Sequence, residues 1–201
     1  MNTPAHMAAS LLVWRNEPDW GPATAIAIGA VLPDAPMFGF YAYQRLIAGR
    51  SEREIWSKLY FEDNWQLLFD VFNSIPLLLV IMVACYFCGL RWGVLLAASA
   101  LLHVCCDLPV HHDDAHRHFL PFTNWRFASP VSYWDPQHFG AIFVWVELVF
   151  AVAACVYVGW KGSHSPMRYV ALGTLLLYVV GIAYAVAVWF PASVSASRRV
   201  G

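Results

Sequence analysis

Four stretches of this chain, residues 67–90, 92–110, 139–160 and 169–190, are apolar over about 20 residues or more. Crossing a hydrocarbon layer of roughly 30 Å at about 1.5 Å per residue takes that length of helix. These runs read as four transmembrane helices. The fold class expected is all-α: a polytopic integral membrane helical bundle with four full transmembrane helices plus a short N-terminal re-entrant or amphipathic helix pair. Arg91 separates the first two runs in a turn tight enough for a helical hairpin. Gly162, Ser163, Ser165 and Pro166 separate the second two.

Composition agrees with lipid as the solvent: 60% of the residues are hydrophobic and only 12% charged, about half the charged share of a soluble domain. With 12 Lys and Arg against 13 Asp and Glu, the net charge of −1 excludes a basic nucleic-acid binder and an acidic tail. Membrane lipid is the partner expected, with no nucleic acid; nothing in the sequence names a protein partner. The length suits one membrane domain over 1–201. Within it, short helices occupy 3–48, a first hairpin 67–110, a His/Asp-rich loop 111–138, a second hairpin 139–190 and a flexible tail 191–201.

The N-terminal third is less regular. Thr3-Pro4 reads as an N-cap followed by proline in the first helical turn, opening a short helix that ends by Arg15. Residues 22–32 make a second apolar run, interrupted by Pro33-Asp34-Ala35-Pro36. Eleven residues reach only about 16 Å, so the preferred expectation is a pair of half-length helices that dips in and returns. The alternative is one kinked spanning helix over 22–44 with Asp34 at its middle. No basic n-region or small-residue cleavage site marks a secretory signal.

With a re-entrant N-terminus, Arg15, Arg45, Arg50, Arg53, Lys58, Arg117, Arg126, Arg198 and Arg199 share one side. Arg91, Lys161 and Arg168 take the other. The positive-inside rule then places the His-rich loop and both termini on the cytoplasmic face of the inner membrane. Cys85, Cys88, Cys105, Cys106 and Cys155 all lie in apolar segments, an odd buried set that argues packing rather than disulfides.

The chemistry is concentrated between residues 103 and 138. His103, His111, His112, His116, His118 and His138 fall there, with Asp107, Asp113, Asp114 and Asp135. His103 and Asp107 are four apart at a helix end, so an imidazole and a carboxylate share a face. Pro109 ends that helix, and the following loop alternates nitrogen and oxygen donors. Such a set suits a divalent metal, zinc first, with manganese or iron as alternatives, and it holds more donors than one tetrahedral ion needs. A solvated pH-sensitive loop and a structural His103–Asp107 pair are the metal-free readings. His6, on the first turn of the opening helix, and Asp34, in its rigid turn, would join the site from the same end. Asp113 or Asp114 is the candidate general base, and Arg117 and Arg126 the candidate clamp for a substrate anion. Asp135-Pro136 reads as the N-cap and first residue of the third spanning helix. Glu147, about 13 Å deeper, is expected to be protonated or paired.

His6 on its helix, Gly29-Ala30-Val31-Leu32-Pro33-Asp34, Leu102-His103 with Asp107, and Leu120-Pro121-Phe122 together resemble the YdjM-like family, described as LexA-binding inner-membrane metal-dependent hydrolases akin to the helical zinc phospholipase C and P1 nuclease fold. The resemblance runs over residues 3–140 as separated short motifs. It implies a metal site of His6, Asp34, His103 and Asp107. The histidine-dense stretch 111–135 departs from the family pattern. Similar short membrane chains also carry a cobalamin-biosynthesis label, yet no G-x-x-x-x-G-K-[ST] phosphate loop is present here. Three functions compete: a metal-dependent hydrolase acting on a phosphoester of a lipid or amphiphile, a non-catalytic metal-binding sensor or assembly factor, and a di-iron oxidase suggested by the single box His112-x-x-x-His116.

Overall fold

The structure is a computed structural model that describes residues 1–161 and 165–181. It is all helical: α1 (Thr3–Val13), α2 (Trp20–Val31), α3 (Ala35–Ala42), α4 (Glu52–Ser57), α5 (Asp63–Phe72), α6 (Ile75–Phe87), α7 (Arg91–Asp107) and α8 (Gly140–Lys161). A further apolar helix, α9, covers Met167–Gly181. Among the described residues, four helical stretches are long and apolar enough to cross a membrane: Trp20–Ile47, Asp63–Phe87, Arg91–Val110 and Gly140–Lys161. The protein is therefore a helical bundle with the build of a polytopic membrane protein. The rest of the fourth expected run, residues 182–190, and the expected tail lie outside the described residues, as do Arg198 and Arg199.

The N-terminal third departs from the dip-and-return expectation. Pro33 and Pro36 do not reverse the chain, because each sits in the first turn of its own helical segment, where a missing N–H costs nothing. A single 3-10 turn, Leu32–Asp34, joins α2 to α3, and the stretch Trp20–Ile47 runs on for 28 residues. This is the alternative of a kinked spanning helix, with Asp34 near its middle. The parity of the chain changes with it. Arg15 belongs with the opposite end of the bundle, where Arg91 pairs with Glu17 at 2.8 Å and the Ser165 hydroxyl donates to the Glu17 carbonyl.

Small residues set how closely the helices approach. Ala5, Ala8, Ala23, Ala151, Ala154 and Ala171 pack with Leu11, Ile26 and Val158 to join α1, α2, α8 and α9. At Gly29 a Cβ would lie 2.2 Å from the Leu96 carbonyl oxygen, so only glycine lets α2 touch α7 there. At that crossing the Ser99 hydroxyl donates to the Ile26 carbonyl and shares a 2.9 Å hydrogen bond with Ser10.

The first expected run is broken at Asn73-Ser74 into α5 and α6. Pro76 stands in the first turn of α6, and Ser74 caps it by accepting from Leu77 N. The loop docks at this break: Ile75 N donates to the His118 carbonyl and Ser74 Oγ to the Leu120 carbonyl. Gly89, at φ 69, closes α6 in the left-handed cap conformation and turns the chain into α7. Large apolar side chains such as Val80, Phe87, Ile142, Val149 and Leu176 are left exposed on the bundle's outside, as a lipid solvent requires.

Candidate metal centre

Asp107 is the hub. It ends α7 and is 2% exposed. Its Oδ1 lies 2.9 Å from His6 Nε2, 3.2 Å from His111 Nε2 and 2.5 Å from the nitrogen of Met1. Its Oδ2 lies 3.0 Å from His103 Nε2. Helical spacing puts His103 one turn above Asp107 on the same face, and the α1 packing brings His6 in from the side. One ligand atom from each of His6, His103 and Asp107 lies within 4.8 Å of the others, and all three residues are buried. Such a group could hold a metal ion.

The hydrogen bonding of His103 fixes which nitrogen is available. Its Nδ1 lies 2.8 Å from the Ala30 carbonyl oxygen, which only accepts, so Nδ1 carries the proton. Nε2 then faces Asp107 and, at 3.5 Å, Asp34 Oδ1, yet it makes no hydrogen bond of acceptable geometry. His6 Nδ1 is likewise buried without a partner. An imidazole nitrogen aimed between two carboxylates in a dry interior needs a cation, a proton or a metal ion, to join them. Asp34 reaches the site from the 3-10 turn, held by a hydrogen bond from Thr3 Oγ1. The four residues of the motif resemblance thus converge, and the donor set fits zinc, manganese or iron.

Outside the spans, electrostatics separates the loop histidines. Burial lowers the His6 pKa, and its neighbour His103 lowers it further, against the pull of Asp107. At His111 the carboxylates of Asp107 and Asp114 outweigh burial and raise the pKa to about 9. Asp114, 2.9 Å from His111 Nδ1, is held below the usual carboxylate range by that ring despite its burial. Burial pushes His118 down to about 4.

The remaining expected residues do not share this centre. Asp113 is exposed, whereas Asp114 is buried and accepts from Trp134 Nε1. Of the two candidate bases, only Asp114 touches a group of the cluster. His116 and His118 turn toward α5 instead, their Nδ1 atoms meeting Asp70 Oδ1 at 3.3 Å and the Asn73 carbonyl at 3.2 Å. His112 stacks on His138 away from the centre. The box His112-x-x-x-His116 is therefore not assembled, because the segment is loop rather than helix and its two rings face different partners.

Arg117 and Arg126 are committed elsewhere. Both bind Asp70, a fully buried carboxylate on α5: Arg117 Nε at 2.5 Å and Arg126 at 3.1 Å, both on Oδ2. Asp70 thereby ties the loop to the bundle. The signal for it was present as a lone carboxylate within an apolar run. Glu147 is paired, accepting from Asn2 N at 3.1 Å and Asn2 Nδ2 at 2.7 Å. All five cysteines are free. Cys105 is exposed, Cys106 half-buried, and neither belongs to the cluster.

Beside the centre lies a cavity of about 510 Å³. Asp34, His111 and His116 give it a polar end, and Met7, Met37, Phe38 and Phe69 an apolar wall. No family model, curated protein or solved structure matches the chain.

Proposed function

We propose that this protein is a membrane-embedded, metal-dependent hydrolase acting on a phosphoester of a lipid or another amphiphile at the cytoplasmic face, in the manner that the YdjM-like resemblance implies. The observation that carries the reading is the His103 side chain, with Nδ1 committed to Ala30 and Nε2 turned toward Asp107 and Asp34. His6, His103, Asp107 and Asp34 would hold the ion, zinc by preference. When bound, such an ion supplies Lewis-acid polarisation of a phosphoryl oxygen and lowers the pKa of water. Ala30 and Thr3 hold the ligand side chains in place. Asp114 beside Nδ1 and Asp107 beside Nε2 hold the ring of His111 at the cavity wall. The Met and Phe side chains exclude water from the apolar part of the substrate.

The test is elemental analysis of the detergent-purified protein, followed by assay against lipid phosphoesters. One tightly held ion per chain is expected, together with hydrolysis that both His103→Ala and Asp107→Asn abolish. Stoichiometric metal without turnover would favour the non-catalytic sensor or assembly role. Absence of tight metal would overturn the centre itself.

A further inference from the structure

The centre lies at a definite depth. Asp107 ends α7, whose 17 residues from Arg91 place it about 25 Å into a hydrocarbon layer roughly 30 Å thick. That is the margin of the leaflet on the loop side, where lipid headgroups meet acyl chains. A lipid of that leaflet needs to move its headgroup only a few ångströms to reach Asp34 and Asp107.

The cavity beside the centre is closed toward the loop and open toward lipid. At its polar end Tyr60, His111 and His116 are buried. The loop over them is tied down by Arg117 and Arg126 on Asp70, and by Tyr133 N donating to the Val110 carbonyl. Among the described lining residues only Asn2, Phe38 and Leu177 are exposed. Asn2 is held to Glu147 on α8 by two hydrogen bonds. Phe38, 46% exposed, belongs to the spanning stretch Trp20–Ile47, and Leu177, 62% exposed, to the apolar helix α9. The mouth therefore lies between α3 and α9, on a face of the bundle that meets hydrocarbon. Thr174, one turn before Leu177, gives its hydroxyl proton to the Val170 carbonyl, so it offers the cavity no free donor.

The apolar path continues outside the mouth. A second hollow runs along the outer face of α2 past Thr24, Ala27 and Ile28, and Val31 lines both it and the cavity. From Val31 back to Thr24 is about 10 Å along the helix. Because α2 starts at the end of the bundle where Glu17 pairs with Arg91, that path leads away from the loop and toward the middle of the bilayer. A lipid of the loop-side leaflet has the same order of polarity, with its headgroup at the loop end and its chain toward the middle. At about 510 Å³ the cavity is of the size that holds one small-molecule ligand, and the chain finds its room outside, along α2.

We propose that the substrate is a bilayer lipid that enters sideways between Phe38 and Leu177, its headgroup passing to the Asp34 and His111 end while an acyl chain lies along α2. The inference rests on the reading of this cavity as the substrate site. It narrows lipid or amphiphile to a lipid with a membrane-length chain, taken from the loop-side leaflet. Phe38 and Leu177 set which chain passes.

The test uses the full-length, metal-loaded protein in vesicles of dioleoyl phospholipids with phosphate, ethanolamine and glycerol headgroups, and compares turnover of the same headgroups on water-soluble dibutyryl chains. Phe38→Trp/Leu177→Trp is expected to lower the ratio of dioleoyl to dibutyryl turnover about 10-fold or more, the size discrimination that an apolar pocket commonly gives. Either substitution alone carries the test if the pair does not fold. An unchanged ratio overturns the sideways route. If wild type turns over neither set, the hydrolase reading fails, and native mass spectrometry of the protein in mild detergent decides the route by itself. About one retained phospholipid per chain in wild type, lost in the double variant, supports it. No retention in wild type, or equal retention in both, overturns it.

Discussion

The imidazole rings of His6 and His103 stack face to face, with centroids 3.5 Å apart and planes 9° apart, over the carboxylate of Asp107. They come from α1 and α7, 97 positions apart in sequence, and each addresses a different oxygen of Asp107. Two parallel cationic rings at this distance would repel, whereas two neutral rings sharing a cation with a carboxylate would not.

Asp107→Asn should therefore reduce bound metal from about one ion per chain to near zero, because removing a ligand commonly costs far more than the 10- to 100-fold of a supporting residue. His6→Ala should do the same although it lies in a different helix. Elemental analysis of the purified variants checks both.

Gly29→Ala places a methyl group on the Leu96 backbone carbonyl, an atom that cannot rotate away. α2 must shift from α7, carrying Ala30 and Asp34 off His103. The expected loss is at least about 1–3 kcal/mol, the range for overpacking. Thermal unfolding in detergent and a fall in metal affinity would report it together.

Asp70→Asn leaves Arg117 and Arg126 without their shared anion. A fully buried pair broken in this way costs about 3–5 kcal/mol. Here the two arginine side chains are 20% and 34% exposed, so screening by solvent reduces the expected loss to about 2 kcal/mol. Limited proteolysis should cut the 111–138 loop faster in the variant.

Acid should destabilise the fold through His118. Its pKa is about 4 in the folded state against 6.5 for a free imidazole, so the unfolded chain binds more protons between these values and stability rises with pH across that window. The contribution is fully present above about pH 6.5 and is lost as pH falls toward 4. The full shift corresponds to about 3 kcal/mol. Melting temperatures from pH 7 to pH 4 should fall with a slope that His118→Gln flattens.

Orientation is open to a direct check. Asp113 is exposed in the loop, and a cysteine placed there should react with an impermeant maleimide only in inside-out vesicles. A cysteine at Arg91, at the opposite end of the bundle, should react only in right-side-out ones. The chain's own cysteines, replaced by serine, remove the background.

The sequence by itself determined that the chain is a helical membrane protein and that its chemistry gathers near His103 and Asp107. Run length against bilayer thickness is a one-dimensional quantity, and an i, i+4 pair on a helix is fixed by local geometry. His6, Asp34, His103 and Asp107 also lie together, because Gly29, Ala30 and Asp34 belong to the segment that presses on α7. Other features needed the tertiary structure. The prolines of 33–36 read as a reversal, yet a proline in the first turn of a helix permits continuation, and only packing against α5 and α7 chose between the two. Arg117 and Arg126 read as an anion clamp, but the anion is Asp70 from the chain itself. The histidines of the loop read as one cluster. An extended backbone at His111 sends neighbouring side chains to opposite faces, so adjacency in sequence became separation in space, with His111 at the buried centre and His112 against His138.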